Sequence, residues 1–333
     1  MARRLSKGAR RGYMPRMVSH EEPPPFQRAW LAPRFWPLWG GLGIYWCISK
    51  LPWRARRLLG HGIGALAQRY GERRRRIIDL NLSWCFPELS AEQRHAMARS
   101  FFRAFGCIAV DYGVLWWGAE PRVERMIRLH GLEHVERLRE HGRNVILITG
   151  HTVALDFGAA AFTLRYPMTG PMNEARNPVI NWFIARGRLR FTHRHGGHLF
   201  SRAANVRAWI TTVRAGSLMY YLPDEDLGGT EKTVFAPFFG VPMATLTALG
   251  RLTKLARAGV VPVMTFYNDS DGGYDVHIGP PLDGYPSDDE QRDAEDQNRA
   301  LEELIRLHPE QYMWSLRIFK VRPEGEGDPY RTP

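Results

Sequence analysis

The hydrophobic and polar positions along the chain change their spacing near residue 143. Upstream, between about 54 and 140, apolar residues recur at helical spacing, most clearly over residues 92–117. Downstream, residues 145–149 form a short apolar run rich in β-branched side chains, which is typical of a buried strand. Gly150 ends this run, and a helix is predicted to begin near Ala154. A helical N-terminal region is therefore followed by a region that contains strands.

Strands and helices alternate through the second region. Further strands are predicted at 218–222 and 260–267, with 274–278 as a possible hairpin partner of the latter, and helices at 177–190, 204–215, 246–258 and about 288–307. Such alternation predicts an α/β fold with a mixed, mostly parallel sheet flanked by helices.

An uncharged, aromatic stretch at residues 35–49 precedes the helical region. It is shorter than the roughly 20 apolar residues that a straight spanning helix needs, and arginines follow it closely. We interpret it as an N-terminal membrane-anchoring helix that either makes a short span or lies in the bilayer plane; a buried soluble helix is the alternative. The predicted organisation is a basic flexible tail (1–30), a membrane anchor (31–60), the main domain (61–322) and a loose C-terminal tail (323–333).

The composition of the chain indicates which classes of binding partner are favoured. Of the 333 residues 44% are hydrophobic, enough for a substantial core, and 46 Lys+Arg against 34 Asp+Glu give a formal net charge of +12. Such a chain favours anionic partners: nucleic acid, acidic lipid surfaces or an acidic carrier protein. A nucleic-acid-binding protein without chemistry is a weak alternative, because helix-turn-helix, RRM and zinc-finger patterns are absent from the sequence. We therefore expect no nucleic-acid partner.

The sequence also lacks motifs that bind a metal ion or a nucleotide cofactor. The three cysteines, Cys47, Cys85 and Cys107, lie far apart and show no metal-ligand spacing. The sequence also has neither a P-loop nor a GxGxxG fingerprint. We accordingly predict no cofactor and no metal.

The segment 150–156 carries the candidate chemistry, because it follows a buried strand and opens a helix. That position is where an open α/β sheet forms its ligand crevice. His151 and Asp156 are expected to meet there, since residues about one helical turn apart share a face. A carboxylate that accepts one imidazole N–H leaves the other ring nitrogen as a general base. No Ser stands in a G-x-S-x-G elbow, so a covalent nucleophile is not indicated.

The residues from Ile148 to Asp156 resemble the HX4D/E signature of glycerolipid-type acyltransferases. More specifically, most of the chain resembles the late acyltransferases of lipid A biosynthesis, the lauroyl and myristoyl transferases of Gram-negative bacteria. Further ordered blocks carry this resemblance: NPVINW at 177–182 with GRLR at 187–190, YLPDED at 221–226, VFAPFFG at 234–240 and HPEQYMW at 308–314.

The resemblance implies the substrates and the location. The donor would be a fatty acyl thioester of acyl carrier protein, and the acceptor a hydroxyl of a phosphorylated lipid A precursor. The enzyme would work at the bacterial inner membrane, with its catalytic domain on the cytoplasmic side. An acyltransferase acting on another amphiphile, such as a lysophospholipid, a glycolipid or an aryl-polyene lipid, stays open as an alternative.

The resemblance also implies roles for particular residues. His151 would act as general base, steadied by Asp156, and Arg188 would bind phosphate or stabilise the thioester oxyanion. Substrate binding is expected of four further residues: Asn177, Arg190, Asp224 and Asp226. For Arg188 and Arg190 the alternative is an arginine that caps helix-end carbonyls, and for the two aspartates it is turn and N-cap chemistry.

Overall fold

The computed structural model describes residues 19–20, 24–172, 175–201, 206–224 and 232–331. Asp226, one of the predicted substrate-binding residues, lies outside these ranges. The strands are β1 (Ser19–His20), β2 (Ile127–His130), β3 (Asn144–Thr149), β4 (Met168–Met172), β5 (Gly197–Ser201), β6 (Leu218–Tyr221), β7 (Thr233–Phe238), β8 (Val241–Leu246), β9 (Ala258–Asn268) and β10 (Gly273–Ile278).

The helices are α1 (Trp36–Ser49), α2 (Trp53–Tyr70), α3 (Glu72–Cys85), α4 (Ala91–Trp117), α5 (Glu120–Arg125), α6 (Glu133–Glu140), α7 (Leu155–Thr163), α8 (Pro178–Arg188), α9 (Val206–Arg214), α10 (Ala248–Ala256) and α11 (Glu290–Ile305). Short 3₁₀ turns lie at Arg28–Leu31, Pro33–Phe35 and Pro309–Gln311.

In the part of the chain that the structure describes, one sheet has eight strands in the order β1-β5-β4-β6-β3-β9-β10-β2, and β7 and β8 form a separate hairpin. Strands β5, β4, β6, β3 and β9 run parallel, whereas β1 and β10 are antiparallel to their neighbours β5 and β9. The sheet is therefore mixed and mostly parallel, as predicted. Its central strands β3, β6 and β9 are buried nearly throughout, which explains their continuous apolar runs.

Most predicted elements of the second region are confirmed. The run at 145–149 is β3, the helix expected near Ala154 is α7, and the segment 274–278 pairs with β9 as an antiparallel hairpin partner. The helices expected at 177–190, 204–215, 246–258 and 288–307 correspond to α8, α9, α10 and α11.

Several strands were not predicted, and their sequences explain why. β4 contains Gly170 and Pro171, both poor strand formers, yet it pairs with β5 and β6. β2 is only four residues long, and only its first residue, Ile127, is buried. In these places the sheet contacts outweigh a weak local signal.

The helical N-terminal region is also confirmed, and its helices pack through glycines. A Cβ at Gly60 of α2 would lie 2.5 Å from Cys107 Cα of α4, so the two backbones approach closely only because this side chain is absent. Arg56 and Asp111 form a buried ion pair between the same helices, with 2.6 Å between Nε and Oδ1. Tyr274 of β10 donates to the other oxygen of Asp111 at 3.1 Å. The hydrogen bond from Tyr274 to Asp111 therefore links the helical region to β10 of the sheet.

The stretch predicted as an anchor forms α1, which carries no charged side chain and exposes Trp36, Ile44 and Trp46. Leu38, Trp39 and Leu42 on its inner side pack against a hydrophobic cluster of Trp30, Phe35 and Val179. Within the described ranges, no helix is both long and apolar enough to cross a membrane. An anchoring role for α1 stays a prediction.

Candidate active site

The turn between β3 and α7 places His151 at the carboxyl end of the central strands. The C-terminal block holds this turn through its backbone: Met313 N donates to His151 O at 2.7 Å, and Val153 N donates to Gln311 O at 3.4 Å. Thr152 and Tyr312 form an antiparallel β-bridge between them. The position of the imidazole is thus fixed from two distant parts of the chain.

Asp224 is the carboxylate bound to the imidazole. His151 Nδ1 lies 2.7 Å from Asp224 Oδ1, and the backbone N–H of His151 donates to Asp224 Oδ2 at 2.6 Å. The Asp224 side chain is fully buried, whereas the His151 side chain keeps 20% of its surface exposed. An ionised carboxylate at Nδ1 places the proton there and leaves Nε2 as the basic nitrogen.

The sequence-based prediction gave this contact to Asp156. In the structure Asp224 occupies it, because β6 and β3 are parallel neighbours and their carboxyl ends lie side by side. α7 begins only at Leu155, so His151 is not a helical residue, and the argument from a shared helix face does not apply to it.

Asp156 instead forms an ion pair with Arg188 of α8. Arg188 Nη2 lies 3.0 Å from Asp156 Oδ1, and Arg188 Nε donates to the same oxygen at 3.1 Å. The charge of Asp156 raises the pKa of Arg188, and burial opposes this effect. Burial and the charge of Asp156 raise the pKa of nearby Tyr112. Asp156 and Arg188 therefore form a second charged pair, which joins the first turn of α7 to the end of α8.

The pKa of Asp224 reflects its partners. Burial by itself would raise it, but the charge of His151 and the hydrogen bonds from His151 and Tyr312 outweigh burial, so the pKa lies below its usual value. A lowered folded-state pKa stabilises the fold at neutral pH, and this contribution is lost as the pH falls below about 4. Asp224 is thus ionised wherever the imidazole could act as a base.

Tyr312 supports Asp224 and was not assigned a role from the sequence. Its hydroxyl donates to Asp224 Oδ2 at 2.8 Å, and its side chain is fully buried. A Cβ at Gly150 would lie 2.9 Å from Tyr312 Cε2 and 3.3 Å from Asp224 Oδ2, so a glycine is needed where these groups converge. The signal in the sequence was the tyrosine of the PEQYMW block, but nothing local to it indicated Asp224.

Two of the other predicted substrate-binding residues have structural partners. Asn177 caps α8, since its side-chain oxygen accepts from Val179 N at 3.0 Å and Ile180 N at 3.2 Å. Arg190 donates to the carbonyls of Leu115, at 3.0 Å, and Gly118, at the end of α4. The carbonyl-capping alternative for Arg190 therefore agrees with these contacts.

A cavity next to the second charged pair has mainly apolar walls. Asp156 and Arg188 line it together with side chains from α7, β4, α8, β6 and the segments that follow. Its apolar lining includes Leu115, Leu155, Met168, Leu189, Phe191, Leu199 and Leu222. The cavity has a volume of about 90 Å³, and Asp156 and Arg188 are the two charged residues in its lining.

Comparison with known proteins identifies the family to which the chain belongs. The sequence model described as "Bacterial lipid A biosynthesis acyltransferase" matches residues 23–321. The chain belongs to this family. It is therefore an acyltransferase, and His151, Asp156, Arg188 and Asp224 all lie inside the matched region.

Relatives of this acyltransferase match over nearly their full lengths. The chain is 34% identical over 303 residues to the lipid A biosynthesis lauroyltransferase of Escherichia coli (strain K12), covering 91% of this chain and 97% of that protein. It is 34% identical over 306 residues to the palmitoleoyltransferase of the same organism, covering 92% and 98%. A myristoyltransferase from this strain is 32% identical over 309 residues, covering 92% and 94%.

Replacing Tyr312 by phenylalanine should lower the kcat of the acyltransferase about tenfold and leave KM nearly unchanged, because one hydrogen bond to a charged group is lost. Without that bond Asp224 attracts the imidazole proton more strongly, so the acidic limb of the pH–rate profile should move to higher pH. Steady-state kinetics across pH would measure both effects.

A matched control is Tyr330→Phe, which removes the hydroxyl of a half-buried tyrosine that donates to Asn81 at 2.6 Å. It should leave the pH profile in place. A Tyr312→Phe enzyme with a wild-type profile would mean that this hydroxyl does not tune the pair.

Proposed function

We propose that the chain transfers a fatty acyl group from acyl carrier protein to a hydroxyl of a phosphorylated lipid A precursor, a late acylation in lipopolysaccharide biosynthesis. Relatives named as lauroyl-, palmitoleoyl- and myristoyltransferases of lipid A biosynthesis support the acceptor. The net charge of +12 suits an acidic donor and a phosphorylated acceptor. The single observation that carries the chemistry is the partly exposed imidazole of His151 on the buried Asp224.

The reaction would proceed by direct transfer. His151 Nε2 takes the proton of the acceptor hydroxyl, and the oxygen attacks the thioester carbonyl carbon, forming a tetrahedral oxyanion. Asp224 stabilises the imidazolium through Nδ1, from which its oxygen lies 2.7 Å. The C–S bond then breaks, the ester is released, and the thiolate of the carrier takes the proton back from the imidazolium.

Arg188 is the residue best placed to stabilise the oxyanion, because it lines the apolar cavity and Asp156 fixes its guanidinium. Preorganised donors of this kind act without reorganising during the reaction. Asp156 is then a positioning residue for Arg188, while Asp224 positions His151.

Arg188→Ala should lower kcat about 10²- to 10³-fold, the range seen when one oxyanion donor is removed. Arg188→Lys should retain part of the activity, because it keeps the charge but cannot reproduce both contacts to Asp156. Single-turnover acyl transfer measures the loss. Equal rates for Arg188→Ala and the wild type would remove Arg188 from the mechanism.

Attachment to the inner membrane through α1, with the catalytic domain on the cytoplasmic side, is part of the proposal. The exposed Trp36, Ile44 and Trp46 on an uncharged helix support it, because aromatic and aliphatic side chains bury at the membrane interface. Lys50 lies 5.0 Å from the Trp46 ring centroid, where its ammonium can reach lipid phosphates.

Ile44→Glu combined with Trp46→Glu should lower binding to anionic phospholipid vesicles at least about tenfold, since each buried apolar side chain contributes about 1.5–3 kcal/mol. Co-sedimentation measures the bound fraction. The matched control is Leu255→Glu, an equally apolar exposed residue of α10. If the double variant binds like the control, α1 is not the attachment.

The decisive assay mixes purified protein with acyl carrier protein thioesters of several chain lengths and with phosphorylated lipid A precursors, lysophospholipids or glycolipids. Mass spectrometry should find one added acyl chain on the lipid A precursor. Transfer only to the other amphiphiles would instead support the alternative substrate class, and transfer to none of them would refute the proposed function.

A further inference from the structure

An open groove of about 1040 Å³ lies on the outer side of α8, between the N-terminal aromatic segment and the end of α4. Its walls are rings that contact one another: the centroids of Trp117 and Phe183 are 5.0 Å apart, and those of Trp116 and Phe183 are 5.5 Å apart. Trp182 and Trp39 continue this wall toward α1. The groove therefore offers a broad aromatic surface that is open to solvent.

The groove adjoins the reaction centre. Trp116, Gly187, Leu189, Thr192 and His198 line both the groove and the inner cavity that contains Asp156 and Arg188. A Cβ at Gly187 would lie 2.5 Å from Trp116 Cδ1, so the aromatic wall lies directly on the helix that carries Arg188. A molecule held in the groove would therefore lie against α8, the helix that carries Arg188.

Arg186 supplies a cation at this groove. It is exposed, lines the groove, and its Cζ lies 5.6 Å from the Trp182 ring centroid. Among the described residues, no carboxylate forms an ion pair with Arg186. The neighbouring Glu120 is engaged by Arg194 at 2.8 Å and His193 at 3.6 Å.

Arg190, the other arginine of the groove, is engaged with the carbonyls that end α4. Burial lowers the pKa of Arg190, Glu120 opposes this, and the charge of Arg186 lowers it further. The positive charge of Arg186 is therefore felt inside the groove, while its guanidinium donors face no described carboxylate.

We propose that this groove binds the acceptor lipid, with a phosphate of its headgroup on Arg186 and apolar parts of the molecule on the aromatic wall. The inference rests on the proposed function and adds the acceptor's binding site to it. A guanidinium above an aromatic ring is a suitable phosphate ligand, because its planar fork can donate two hydrogen bonds.

The acceptor suits the groove better than the donor does. The wall includes Trp39 of α1, the helix that exposes Trp36 and Ile44 on its other sides. An amphiphile leaving a lipid surface along α1 would therefore meet the groove before the inner cavity. The phosphodiester of a carrier protein's prosthetic group shares the anionic chemistry, and the experiment separates the two.

The test compares full-length wild type with Arg186→Gln, using an acceptor that carries its phosphates and the same acceptor after dephosphorylation. KM for the phosphorylated acceptor should rise about 10- to 100-fold, as expected for a lost charge-assisted hydrogen bond. KM for the dephosphorylated acceptor and for the acyl carrier protein thioester should change less than about twofold, and kcat should be retained. The matched control is Arg251→Gln, an exposed arginine of α10.

Binding of the phosphorylated acceptor without donor, measured by calorimetry, gives a readout that does not need turnover. Weaker binding to Arg186→Gln than to wild type supports the groove even if no acyl transfer occurs, in which case only the proposed function fails. Unchanged acceptor binding and KM overturn the inference and leave the proposed function intact. A rise in the donor's KM instead assigns the groove to the carrier protein and also overturns it.

Discussion

His151→Ala should lower kcat for acyl transfer about 10²- to 10⁴-fold, the usual contribution of a general base, while KM for both substrates changes little. The fold should survive, because the turn is held by the backbone N–H and carbonyl of residue 151, which alanine retains. The residual rate would come from Arg188 and from the alignment of donor and acceptor. Rapid-quench acyl transfer would measure the chemical step.

Two further variants make this result specific. His151→Asn retains a side-chain donor for Asp224 but no base, so it should be as inactive as His151→Ala and more stable. His141→Ala removes an exposed imidazole at the end of α6 and should retain full activity. Substantial turnover by His151→Asn would show that a base is not needed.

Asp224→Asn should have an effect as large as the loss of the base itself, about 10³- to 10⁴-fold in kcat. An asparagine amide can donate to Nδ1, which moves the imidazole proton to Nε2 and removes the basic nitrogen from the acceptor. The change is nearly isosteric, and Tyr312 can still donate to the remaining oxygen. The measurement is kcat across pH.

Asp156→Asn is the informative comparison for Asp224→Asn. It weakens the ion pair with Arg188 and leaves the His151–Asp224 contact in place. It should therefore lower kcat but keep the acidic limb of the pH–rate profile, which Asp224→Asn should lose. If Asp224→Asn had near wild-type rates and Asp156→Asn were inactive, the result would show that Asp156, and not Asp224, fixes the tautomer of His151.

Much of the sheet region could be predicted from its sequence, because the signals there are local. The β-branched run before Gly150 forms a buried strand, and the periodic segments after it form α7 to α11. β4 carries Gly170 and Pro171, and it depends on hydrogen bonds from β5 and β6 that no local pattern indicates.

The sequence predicted which residues belong to the candidate site better than it predicted which of their side chains contact one another. His151, Asp156, Arg188 and Asp224 all stand in motifs of the sequence, but the predicted pairing of His151 with Asp156 rests on their closeness along the chain. The observed pairs join residues far apart in sequence, 151 with 224 and 156 with 188, because strand order and helix packing decide which side chains meet. Tyr312 reaches Asp224 for the same reason.

The most direct test of the central claim is nitrogen NMR of the enzyme labelled in its histidine side chains, with His151 assigned from the His151→Asn variant. At neutral pH we expect the resting imidazole to carry its proton on Nδ1, beside Asp224, and to leave Nε2 unprotonated. A neutral ring protonated on Nε2, or a spectrum for His151 that Asp224→Asn does not change, would contradict the account.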